Sequence, residues 1–307
     1  MADVVCIASW NADLVSRVPR PIARGETLAS SQFEITPGGK GSNAAIAAAR
    51  QGARVALIAR IGKDDFGRMG LDLWRAEGIV TNHVEVASGE TSGVAQILVY
   101  DDGDNSIAVF AGASAGLAAR HAQAARETLA SCRVVMASCE VPLAATMEAF
   151  RIARDAGAAT VLNPAPAQPL PDELLALTDV LTPNENEAPI LAAAAPNAPV
   201  DVAAQALLAR GAKAVVVTLG AAGCVLYREA QAPCALIGRR MTVVDTIGAG
   251  DTFTGALAAA LARGEPLSEA MRWANAAAAL SVTGRGAIGG MPTLDQVRTL
   301  LAEHVRS

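Results

Sequence analysis

The chain has 307 residues, 52% of them hydrophobic and 18% charged, enough for one large core or a core with a small appendage. Its net charge of -5, without any run of Lys or Arg, argues against nucleic acid or a membrane as the main partner and points to small molecules. Five widely spaced cysteines with no CxxC pair argue against a disulfide framework or a zinc site, and no charge-free apolar span of about 18 residues occurs, so a cytoplasmic protein is expected.

The first apolar run, Val4 to Ser9, is of strand length and leads to Asn11 and Asp13, two polar groups placed just past a strand end. Trp10, just before Asn11, reads as core. Residues 13 to 36 carry Pro19, Pro21 and Gly25. Residues 92 to 110 read as a hairpin across Asp101-Asp102-Gly103, with Val94, Ile97 and Val99 before the turn and Ile107, Val109 and Phe110 after it. These two segments break the rhythm of the chain and are expected to pair into a small β lid.

Pro37-Gly38-Gly39-Lys40-Gly41-Ser42-Asn43 then enters an Ala-rich helix, Ala44 to Arg50, closed by Gly52. Glycines there let backbone approach a ligand, and Lys40 and Asn43, three apart, share a helix face from which both can hydrogen-bond one polyol. Further strand-like runs follow at Val55 to Ile61, Val134 to Ser138, Thr160 to Leu162, Val180 to Thr182 and Ala214 to Leu219, mostly separated by helical segments. That alternation predicts a three-layer α/β/α sandwich, with a mainly parallel sheet covered on both faces and a site at the carboxyl ends of the strands. The whole chain, residues 1 to 307, reads as one such domain carrying the lid. Asn184 and Glu187, again three apart, read either as a capping pair or as groups facing a cation-bridged phosphate. His83, His121 and His304 are isolated and read as solvated surface residues.

Val243-Val244 looks like the end of a buried strand, after which Gly248-Ala249-Gly250 opens a helix with Ala256, Leu257, Ala260 and Leu261 on helical spacing. Free N–H groups at such a helix start hold an anion. Asp251 in the same turn would repel a phosphate as a ligand, yet it suits the role of base, taking a proton from a substrate hydroxyl while the amides stabilise the charge on a transferring phosphoryl group. A dinucleotide fingerprint would need glycine at Phe253, and a Walker loop would need Gly-Lys-Ser/Thr; neither is present. Helical spacing resumes after Gly264 with Leu267, Met271, Ala274 and Ala278, and a closing helix follows Pro292-Thr293.

Taken together, Gly38-Gly39-Lys40-Gly41-Ser42-Asn43, Ile61-Gly62-Lys63-Asp64-Asp65-Phe66-Gly67 and Asp245-Thr246-Ile247-Gly248-Ala249-Gly250-Asp251-Thr252-Phe253 resemble the two signatures of the ribokinase/PfkB family of sugar kinases, in order and along essentially the whole chain. The resemblance implies ATP-dependent phosphorylation of the primary hydroxyl of a furanose, D-ribose to ribose 5-phosphate before deoxyribose, a nucleoside or a ketose. It implies sugar contacts from Asn11, Asp13, Gly39, Lys40, Asn43 and Glu140, with Asp251 as base and Gly248, Ala249 and Gly250 forming the anion hole. Asn184, Thr218, Gly220, Gly250 and Asn275 would face ATP, and Glu187 would be associated with Mg²⁺. Asp245, with the carbonyls of Ile247, Val282, Arg285 and Ala287, would hold a monovalent cation such as K⁺. A homodimer is expected from the same resemblance and from an apolar lid face.

Overall fold

The computed structural model describes residues 1–195 and 197–303; His304 lies outside them. In chain order the strands are β1 (Val4–Ala8), β2 (Asn11–Arg17), β3 (Gln32–Gly38), β4 (Val55–Gly62), β5 (Val80–Ala87), β6 (Gly93–Val99), β7 (Asn105–Phe110), β8 (Val134–Ser138), β9 (Ala159–Asn163), β10 (Val180–Leu181), β11 (Ala214–Thr218), β12 (Gly223–Arg228) and β13 (Cys234–Ile237). The helices are α1 (Lys40–Arg50), α2 (Asp65–Ala76), α3 (Ala119–Ala124), α4 (Arg126–Ser131), α5 (Leu143–Asp155), α6 (Asp172–Ala176), α7 (Glu187–Leu191), α8 (Val200–Ala209), α9 (Ala249–Ala262), α10 (Leu267–Ser281) and α11 (Leu294–Glu303).

Nine strands form the main sheet in the order β13-β12-β11-β10-β9-β8-β1-β4-β5, parallel from β11 to β5 and antiparallel at β12 and β13. Successive residues of β1 point to opposite faces: Val4, Cys6 and Ala8 enter the core beneath α1, α2, α9, α10 and α11, and Val5 and Ile7 the core beneath α3 to α8. A central strand buried on both faces must be apolar throughout, which is why it reads as a continuous run. Trp10 sits fully buried against Trp74 in an edge-on contact, centroids 5.4 Å apart, and its indole N–H donates to the Phe66 carbonyl at 3.0 Å.

A second sheet, β3-β2-β6-β7, stands apart from the first. Its register puts Asn11, Asp13, Ala95 and Val109 on one face and Leu14, Phe33, Ile35, Leu98 and Phe110 on the other. Phe33 and Phe110 are both 60% exposed on that second face.

Two sequence expectations fail here. Val243 and Val244 are not a strand end: both are exposed in a stretch without regular structure, because two apolar residues carry no information on whether a sheet partner is available. His121 is not a solvated surface residue, since it is buried with Nε2 2.9 Å from a Glu85 carboxylate oxygen. Its Nδ1 lies 2.8 Å from the Ala118 amide. His83 is half-buried, 2.8 Å from the Thr128 hydroxyl.

Candidate active site

Two helices of one layer bring the glycine-rich motifs together. Gly255 of α9 packs so closely on α1 that a Cβ there would lie 2.2 Å from the Ala44 carbonyl oxygen and 2.7 Å from the Ala47 Cβ. Four residues earlier on each helix, the Asn43 side-chain amide donates to an Asp251 carboxylate oxygen at 2.9 Å. Matching contacts one turn apart mean that α1 and α9 run side by side in the same direction, so both N-termini open at one place.

The approach to α1 is set by the end of β1. Gly39, at φ 92°, turns the chain where any Cβ would come within 2.8 Å of the Ser9 carbonyl oxygen. The Ser9 hydroxyl donates to Glu140 at 2.6 Å, the Lys40 amide donates to the same carboxylate oxygen at 2.7 Å, and the Gly41 amide donates to the Ser9 hydroxyl at 3.2 Å. Glu140, two residues past β8, thus ties the first turn of α1 to the sheet. Ser9 was not legible as a site residue; its only sequence signal is its position two residues before Asn11.

At α9 the N-terminus is open. Gly248 adopts the left-handed conformation at φ 77°, no side chain caps the helix, and the Gly250 and Asp251 amides have no backbone partner. The Ala249 amide closes loosely on the Thr246 carbonyl at 3.3 Å. A cleft of about 210 Å³ opens here, lined by Lys40, Asn184, Glu187, Thr218, Gly248, Ala249, Gly250 and Asp251. Asn163, Thr182 and Thr246 also line it, without having been assigned a role from sequence.

Other expected residues sit around this cleft rather than in its wall. Asn11 and Asp13 lie on β2, opposite Gly38 and Thr36 of β3, and Gly39, Asn43 and Glu140 adjoin through the bonds above. Gly220 and Asn275 are outside the lining, and the Asn275 side-chain amide donates to the Ile237 carbonyl at 3.1 Å. Asn184 and Glu187 bond reciprocally: the Asn184 amide donates to the Glu187 carboxylate and the Glu187 amide to the Asn184 side-chain oxygen, both at 2.9 Å. The capping arrangement and the cleft-lining position therefore coexist.

Charges converge on Asp251, which is only 5% exposed. Burial pushes its carboxyl above the usual range; Lys40 and the Asn43 hydrogen bond oppose that, and Glu140 and Glu187 add to it. Lys40 is held charged chiefly by Asp251. Asp13 is pushed up to about 7 by burial and then by Glu140, against Lys40. A buried carboxylate with raised proton affinity beside open helix amides can remove a proton from a hydroxyl and steady a nearby anion.

Asp245 joins two loops beside α9, accepting from the Ile247 amide at 3.0 Å and the Gly286 amide at 2.8 Å. The Val282 carbonyl accepts from both the Val244 and Asp245 amides, at 2.8 and 3.2 Å. A monovalent cation bound at the expected set of Asp245 and the Ile247, Val282, Arg285 and Ala287 carbonyls would share the Val282 oxygen with these two amides. No group of three or more His, Cys, Asp or Glu side chains fit to hold a metal comes together among the described residues. A divalent ion at Glu187 would therefore have to share its shell with phosphate and water, as Mg²⁺ readily does.

A parallel α/β/α sheet with a cleft beyond its strand ends, and a buried carboxylate beneath an open helix start, define the chain as a small-molecule kinase. Residues 1–294 match the model of the pfkB family of carbohydrate kinases, and the chain belongs to that family. It is 39% identical to a ribokinase of Haemophilus influenzae over 97% of both chains, and 33% identical to a deoxyribokinase of Salmonella typhi over 98% of this chain and 99% of the other. The structure of Arabidopsis thaliana ribokinase complexed with ribose and ATP superposes with a TM-score of 0.92 at 30% identity, covering 98% of each chain.

Proposed function

We propose that this protein transfers the terminal phosphoryl group of ATP to the primary hydroxyl of D-ribose, giving ribose 5-phosphate. The observation that carries the chemistry is the buried Asp251 carboxylate, joined to Asn43 at the cleft where the open α9 N-terminus ends. The family and the ribokinase relatives support the sugar.

In this reading Asp251 accepts the proton of the sugar hydroxyl as that oxygen attacks. The Gly250 and Asp251 amides, with Ala249, stabilise the charge on the transferring group, and Lys40 adds a positive charge on the other side. Asn43 holds Asp251 with its amide and keeps its own oxygen, buried and without a partner, for a sugar hydroxyl. Asn11, Asp13, Gly39 and Glu140 complete the polyol contacts. Asn184, Thr218, Gly220 and Asn275 face the nucleotide. Glu187 would be the residue associated with Mg²⁺, which would supply neutralisation of phosphate charge. A monovalent cation at Asp245 and the carbonyls of Ile247, Val282, Arg285 and Ala287 would steady the anion hole; equal activity in K⁺ and in a large organic cation removes it.

The four-stranded sheet serves as a lid, with its Asn11 and Asp13 face toward the sugar. Its outer face, with Phe33, Ile35 and Phe110, meets a second copy in a homodimer. The compartment is the cytoplasm. A second reading, 2-deoxyribose as acceptor, has the deoxyribokinase relative in its favour. ADP release measured over a panel of ribose, deoxyribose, nucleosides and ketoses decides: ribose is expected to give the highest kcat/KM, and a higher value for any other acceptor replaces it.

A further inference from the structure

The loop from Val282 to Met291, which backs the anion hole, has almost no means of holding its own shape. Four of its residues are glycine, at positions 284, 286, 289 and 290; the backbone bond that closes within it is Met291 to the Ile288 carbonyl at 3.2 Å, while Thr283 to Leu280 at 3.0 Å and Gly284 to Ser281 at 3.5 Å tie only its start to α10. Yet Gly248 rests on it. A Cβ on Gly248 would lie 2.9 Å from both the Cα and the carbonyl oxygen of Ala287, so the backbone of Ala287 is the floor on which the left-handed turn into α9 sits. Moving that floor moves the Gly250 and Asp251 amides.

Two charged clamps fix the loop from opposite ends. Asp245 takes the Gly286 amide on the cleft side. On the far side stands Arg50, the last residue of α1, whose Nη1 donates to the carbonyls of Ile288 at 2.7 Å and Met291 at 3.2 Å. Its Nε and Nη2 donate to the two oxygens of Glu77 at 3.1 and 2.6 Å, which fixes the plane of the fork. Next to it the Gln51 side-chain amide donates to the Pro292 carbonyl at 2.8 Å. Only a planar guanidinium can meet a carboxylate edge-on and two carbonyls with its remaining donors; an ammonium cannot cover this set.

We infer that Arg50, oriented by Glu77, is a positioning residue for phosphoryl transfer, holding the 286–291 loop and through Ala287 the Gly248 turn in register with Asp251. The same helix that begins with Lys40 and Asn43 at the cleft ends by bracing the other half of the site from behind. This inference rests on the assignment of the α9 amides to the transferring phosphoryl group.

The test compares the unchanged protein with Arg50→Met, Arg50→Ala, Arg50→Lys and Glu77→Gln, each checked for folding by its melting temperature. A displacement of about 1 Å at reacting groups costs on the order of a hundredfold, so Arg50→Met is expected to lower kcat about ten- to a hundredfold with the sugar KM within about twofold, and Glu77→Gln less in the same direction. Arg50→Lys is expected to resemble Arg50→Met, and millimolar guanidinium is expected to restore part of the kcat of Arg50→Ala. Amide exchange in 284–291 and 249–251 should quicken in each variant, whatever its activity. An unchanged kcat, or unchanged exchange in those segments, in any folded Arg50 variant overturns the inference. If Arg50→Met does not fold, Arg50→Lys and Glu77→Gln give the same reading. Failure of the unchanged protein to phosphorylate any acceptor would instead remove the kinase reading, and the exchange data would still report on the clamp.

Discussion

Replacing Asp251 by Asn separates chemistry from folding because of what surrounds it. The carboxylate accepts from the Asn43 amide at 2.9 Å, and the Asn43 side-chain oxygen beside it is buried without a partner. An amide at 251 matches the carboxyl in size and shape and can accept from Asn43 as before, so the buried bond between the two side chains is kept. The native state holds the Asp251 proton more tightly than the unfolded chain does. The unchanged protein therefore loses stability as pH rises from the ordinary carboxylate range toward the raised value, and removing the carboxyl abolishes that loss. Asp251→Asn is expected to melt at or above the temperature of the unchanged protein at pH 8. Its kcat is expected to fall by about 10² to 10⁴, or about 2.7 to 5.4 kcal/mol of barrier, because proton removal is lost while the amides remain. Steady-state ADP release with saturating ribose and ATP, run beside a thermal melt, measures both. A folded variant that keeps kcat within tenfold would falsify the role of Asp251 as base.

Three other outcomes follow from the geometry. Asp13, pushed up to about 7 by burial and by Glu140, accepts sugar hydroxyls better once ionised, so the sugar KM should fall as pH rises through about 7 and Asp13→Asn should flatten that profile; a pH-independent KM in the unchanged protein refutes it. Gly255→Ala places a methyl 2.2 Å from the Ala44 carbonyl oxygen, and pushing α1 from α9 should cost about 1 to 3 kcal/mol in urea denaturation and lower kcat as Asn43 leaves Asp251. By light scattering the unchanged protein is expected to be a dimer and Phe33→Glu, on the outer lid face, a monomer; equal masses for the two proteins would exclude that face as the contact.

The central strands were legible because burial on both sides demands unbroken apolar runs, as in Val4–Ala8 and Val55–Gly62. β5 was not, because the three consecutive polar residues Thr81, Asn82 and His83 interrupt both an apolar run and an alternation, as a strand at the sheet edge allows. β12 and β13 were missed for a related reason: they are the antiparallel border of a sheet read as parallel, and β13 is mostly exposed. Around the cleft, residues in glycine-rich runs could be named in advance, since glycine marks close backbone approach. Ser9, Arg50 and Glu77 could not, because a lone serine or a charged helix end gains meaning only from what lies across the fold. Val243 and Val244 erred the other way, apolar residues left in the open.

The side-by-side packing of α1 and α9 also governs when the protein becomes itself during synthesis. β1 and α1 leave the ribosome early, but the alanine-lined flank of α1, at Ala44, Ala47 and Ala48, meets its partner only after residue 255 has been translated. Until then the nascent chain carries a bare, greasy ridge beside a half-built sheet. Stalled products ending before α9 should thus be inert and chaperone-bound, so that catalytic competence arrives late and all at once.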